Sequence, residues 1–86
     1  MNAYAHKLLS RAEGIWSNLG LLLEGQKTSE QDGCTSIVLK FHEITPPQAE
    51  MLVSQMGKAF RRANPFWRKD EKGEIVVRIE IPPMNG

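Results

Sequence analysis

The sequence predicts a small α+β fold in two layers, with two helices packed on a three-stranded sheet in the order α-β-α-β-β. Two observations predict it. Apolar residues recur at spacings of three and four from Ala5 to Leu23 and from Ala49 to Ala63, the period of a helix with one buried face. They alternate from Ile37 to Phe41 and from Ile75 to Ile81, the period of a strand with one face on a core. At 86 residues the chain has room for a single domain, residues 1–86. Its content of 41% hydrophobic and 24% charged residues is that of a chain that folds.

The first helix is expected over residues 3–24. Ala5, Leu8, Leu9, Ala12, Ile15, Trp16, Leu19, Leu22 and Leu23 form its apolar stripe, with Lys7, Ser10, Arg11, Glu13 and Asn18 on the other side. Gly14 and Gly20 fall inside this span and each costs about 1 kcal/mol against alanine, so packing must hold the helix; Gly25 is the expected stop, since glycine takes the left-handed conformation there without steric cost. A polar loop is expected from Gln26 to Gly33. The first strand is expected over residues 34–44, with Ile37, Leu39 and Phe41 facing one way.

Thr45, Pro46 and Gln48 make a capping-box start for a second helix over residues 46–63, with Ala49, Leu52, Val53, Met56, Phe60 and Ala63 on its apolar stripe. Asn64 and Pro65 should end it, because the residue before proline is pushed away from helical angles. A hairpin is expected over residues 66–81, turning at Asp70–Gly73 and putting Ile75, Val77, Ile79 and Ile81 on the core. Pro82 and Pro83 stop further pairing, leaving residues 82–86 as a loose tail. The second face of the sheet would carry Val38, Lys40, His42, Val76, Arg78 and Glu80. Such an open, half-apolar face with a free strand edge favours a homodimer or a dedicated partner.

No apolar run approaches the roughly 20 residues of a membrane span, the first residues lack the pattern of a secretory leader, and Cys34 has no second cysteine to pair with. A cytoplasmic location is the expectation. The net charge is only +1, yet the stretch Lys58–Lys72 holds six cations against two carboxylates and encloses Phe60, Phe66 and Trp67. Arg61, Arg62, Trp67, Arg68, Lys69 and Lys72 are the candidate binding residues. The cations suit phosphates or an acidic protein, and Trp67 suits an unpaired base. Part of this charge also follows from ending a helix, where cations favour the carbonyl end of the dipole.

Catalytic and metal chemistry find little support. His6, Cys34 and His42 include no short-spaced pair of the kind structural zinc sites use. As a nucleophile and base within one straight strand, Cys34 and His42 would stand roughly 26 Å apart at about 3.3 Å per residue. No nucleophile elbow or phosphate-binding glycine loop is present. The sequence therefore points to a non-enzyme that needs no cofactor or metal. The leading expectation is a regulatory or inhibitory protein-binding module, resembling only in style the accessory proteins of phages and bacteria. A nucleic-acid-binding module built on Lys58–Lys72 and a structural subunit of a larger assembly are the alternatives.

Overall fold

A computed structural model describes residues 3–83, so Met84–Gly86 of the expected tail lies outside the described residues. The elements are α1 (Ala3–Asn18), β1 (Leu23–Gln31), β2 (Cys34–Phe41), α2 (Pro46–Ala59), β3 (Asn64–Lys69) and β4 (Ile75–Ile81). The architecture is α+β, as expected, but the order is α-β-β-α-β-β and the sheet has four strands, β1-β2-β4-β3, with every neighbouring pair antiparallel. The stretch expected to be a polar loop is β1. It forms a hairpin with β2 through Asp32 and Gly33, at φ +54° and +82°, the left-handed pair that a tight two-residue turn requires.

The first helix is also shorter than expected. The N–H of Gly20 donates to the Ser17 carbonyl at 3.0 Å, and that of Leu21 to the Trp16 carbonyl at 3.0 Å, the paired bonds of a Schellman cap. Gly20 takes φ +76° and ends the helix in the role expected of Gly25. Leu21 turns back into the core beside Trp16, whereas Leu22 and Leu23 leave it, at 68% and 36% exposure.

The start of α2 is as expected. The Thr45 side chain accepts from the Gln48 N–H, and the Gln48 side chain accepts from the Thr45 N–H at 2.9 Å. Its end comes earlier: Phe60 caps the helix, its N–H donating to the Met56 carbonyl at 2.8 Å, and Arg61 and Arg62 form a turn before β3. Gly73, at φ +81°, closes the turn between β3 and β4, where the Asp70 carboxylate accepts the N–H groups of Lys72 and Glu74 at 2.9 Å each.

Both apolar stripes meet one face of the sheet. Ala5, Leu8, Ala12 and Trp16 of α1, and Leu52 and Met56 of α2, share a core with Ile37, Leu39 and Phe41 of β2 and Val77, Ile79 and Ile81 of β4. The Trp16 and Phe41 rings meet edge-on with centroids 5.4 Å apart. The two central strands thus supply the sheet's share of the fully buried side chains. β1 contrasts with them: only Thr28 among its nine residues is even half-buried.

Candidate binding surfaces

The candidate residues of Lys58–Lys72 do not form one patch. Arg61 and Arg62 stand in the turn before β3, and the Arg62 guanidinium lies 4.9 Å from the centroid of the Tyr4 ring in α1, a cation–π contact. Arg68, Lys69 and Lys72 stand at or beyond the other end of β3, roughly 20 Å away for six residues at about 3.3 Å each. Trp67 pairs with Val77, packs against the core and donates its Nε1–H to Glu50 of α2 at 2.7 Å. Its ring is a brace between helix and sheet. Phe66, one residue earlier, points to the opposite face, opposite Arg78.

The uncovered face of the sheet carries Val38, Lys40, Val76, Arg78 and Glu80, as the alternation predicts, with Phe66, Arg68 and Lys27 added by the outer strands. Arg78 lies at its middle. Its Nη2 donates to Ser36 Oγ at 2.9 Å and stands 3.2 Å from Glu80 Oε1, while its Nε is buried without a hydrogen-bond partner. Lys40 reaches Asp70 and Glu74 at 3.6 and 3.7 Å. His42, expected on this face, lies beyond the end of β2, where its Nδ1 is 3.1 Å from Glu24 Oε2. Its pKa is raised above the ordinary 6.5, first by the Glu24 hydrogen bond and next by the charge of Glu43.

The two edges of the sheet differ. β3 has six residues, begins Asn64–Pro65 and ends in Arg68 and Lys69, so it offers one N–H fewer and two cations, the usual protections of an edge. β1 has nine residues, no proline and a single cation, Lys27. Counting back from the Gln31–Cys34 pair that closes the tight turn, the ladder alternation directs the N–H and C=O groups of Gln26, Thr28 and Glu30 away from β2.

At the start of that edge, by Leu23 and Gln26, lies a groove of about 600 Å³ between α1 and β1, with Leu9, Trp16, Leu21, Leu22 and Leu23 as its apolar lining. Glu13 on α1 stands at its rim. Glu30 shares the inner face of β1, where its carboxylate accepts from Thr35 Oγ1 at 3.3 Å. Sequence reasoning passed over β1 as a polar loop. The available sign was the dipeptide Asp32-Gly33, a strong local mark of a hairpin. Among the described residues no helix is long and apolar enough to cross a membrane. Comparison with protein-family models, curated proteins and solved structures found no significant match.

Proposed function

We propose that this chain is a non-enzymatic protein-binding module of regulatory or inhibitory type, which takes an extended segment of a partner protein as a fifth strand along β1. The observation that carries the reading is the pairing of a nine-residue, proline-free edge, regular beyond its bulge at Leu23–Gly25, with a partly apolar groove at its start. Main-chain bonds to Gln26, Thr28 and Glu30 supply affinity that any extended segment can draw on, and alternate side chains entering the groove supply selectivity.

The chemistry of the groove defines the partner. Leu9, Leu22 and Leu23 favour apolar side chains on the inner face of the incoming strand. Glu13 favours a cation among them. The segment is therefore apolar and basic on one face and free in composition on the other.

The test uses a labelled extended peptide whose groove-facing positions alternate isoleucine and lysine, titrated with the protein by fluorescence anisotropy. Thr28→Pro removes an outward N–H without touching the β1–β2 ladder, since proline is tolerated where the N–H faces away from the sheet. It should weaken binding at least about tenfold, or about 1.4 kcal/mol, with an unchanged circular dichroism spectrum. Equal affinity in Thr28→Pro would reject β1 as the docking edge. Sedimentation that depends on concentration, and loses that dependence in Thr28→Pro, would make a second copy of the chain the occupant instead of a foreign segment.

A further inference from the structure

The strand register places a row of side chains across the uncovered face of the sheet: Phe66 of β3, Arg78 of β4, Val38 of β2 and Lys27 of β1. Arg68, paired with Val76, and Lys40, paired with Gly25, stand one step along the same face. The strand positions of this face thus bring Lys27, Lys40, Arg68 and Arg78 together, with Glu80 3.2 Å from Arg78 and with Asp70 and Glu74 reaching Lys40 at 3.6 and 3.7 Å. Lys27 and Arg68 are the cations of this face left without an ion pair among the described residues, on the side of the sheet opposite the helices.

We propose that this face binds single-stranded nucleic acid, with Phe66 as the stacking platform and Lys27, Lys40, Arg68 and Arg78 as its phosphate and base contacts. The site lies on the outer face of the sheet and shares with the β1 strand only Lys27. Phe66 is half-buried at a strand position directly opposite Arg78. Arg78 beside it is fixed before any ligand arrives by Ser36 and Glu80, and its buried Nε lacks a partner among the described residues, so the row has an ordered cation next to its aromatic. Shallow depressions of about 560 Å³ and 370 Å³ adjoin Arg78, the first lined by Val38, Arg68 and Val76 with Asp70 and Glu71 at its margin, the second by Ser29, Cys34 and Ser36 with Asp32 and Glu80.

The chemistry selects a single strand over its competitors. Every base has a face that can stack on an aromatic ring, while the cations follow the backbone whatever the sequence. Reading a duplex calls for a helix or ribbon projecting into its major groove, and this face is a sheet lying flat. An acidic polypeptide would use the cations but has no use for Phe66.

The experiment is fluorescence anisotropy of a labelled thymidine oligomer of roughly 12 nucleotides, the same length of RNA, and a duplex, at about 50 and about 200 mM salt. Two to four phosphate contacts on a single strand predict a loss of affinity of roughly 7-fold to 50-fold across that range. Phe66→Leu, which keeps apolar bulk and removes the ring, should weaken binding about tenfold or more, and Lys27→Glu with Arg68→Glu should weaken it further and flatten the salt slope. Thr28→Pro should leave oligonucleotide binding unchanged, which separates this site from the β1 edge. Absence of binding at the lower salt overturns the proposal. So does a duplex bound more tightly than the single strand, or oligonucleotide binding that polyglutamate displaces equally well and Phe66→Leu does not alter.

Discussion

His42 shows how one exposed side chain can record a local contact that the sequence does not announce. Its Nδ1 lies 3.1 Å from Glu24 across the start of the β1–β2 ladder, and its Nε2 lies 3.8 Å from Glu43. Both carboxylates favour the imidazolium, so the folded pKa exceeds the unfolded value of about 6.5. A raised pKa stabilises the fold fully below 6.5, and that contribution disappears as pH rises through the folded-state pKa. Glu24→Gln should therefore lower the NMR titration midpoint of His42, and its stability deficit in urea should be larger at pH 5.5 than at pH 9. A midpoint that stays put in Glu24→Gln would mean that the hydrogen bond does not form in solution. The same scale shows what can be read without a structure. Phe66 and Trp67 are adjacent, so in a strand only one can face the helices. Which one depends on the pairing of Trp67 with Val77, a long-range register that local sequence does not contain.

At the scale of elements, periodicity found every segment that packs against the core and passed over the one that does not. β2, α2 and β4 each bury one face, so their apolar positions repeat. β1 buries neither face and therefore has no pattern to find. The end of α1 was hidden for the opposite reason: Leu19, Leu22 and Leu23 continue the helical spacing beyond the cap, although only Leu21 in that tripeptide run of leucines returns to the core. Gly33 makes the β1 hairpin testable. It sits at φ +82°, and a Cβ there would meet the Pro83 Cβ at 3.0 Å, so both backbone strain and crowding oppose a side chain. Gly33→Ala should cost about 1–2 kcal/mol. Gly14, exposed in α1 with nothing within 4 Å of an added Cβ, should behave oppositely, Gly14→Ala gaining up to about 1 kcal/mol. Thermal melts should separate the two in sign, by roughly 4–8 °C per kcal/mol in a domain of this size. Equal effects would contradict the assigned turn and helix.

For the whole molecule, stability should be distributed unevenly across the sheet. β4 is paired on both sides and β2 joins it to β1, with the two helices closing over their inner residues. β1 is held by β2 on one side, has no strand on the other, and keeps its side chains in solvent. A segment with many exposed main-chain bonds and little buried apolar area opens without the rest unfolding. Native-state hydrogen exchange should therefore find the amides of Lys27 and Ser29 at least about a hundredfold less protected than those of Val77 and Ile79, a gap of about 2.7 kcal/mol in opening free energy. This links stability to the proposed docking: an incoming strand would close the free side of β1 and raise the protection of Gln26, Thr28 and Glu30, while an oligonucleotide on the opposite face need not. Equal protection of β1 and β4 in the free protein would place both in one cooperative unit. The edge would then be as rigid as the core, and strand addition would have to proceed on a fully formed template with no local opening.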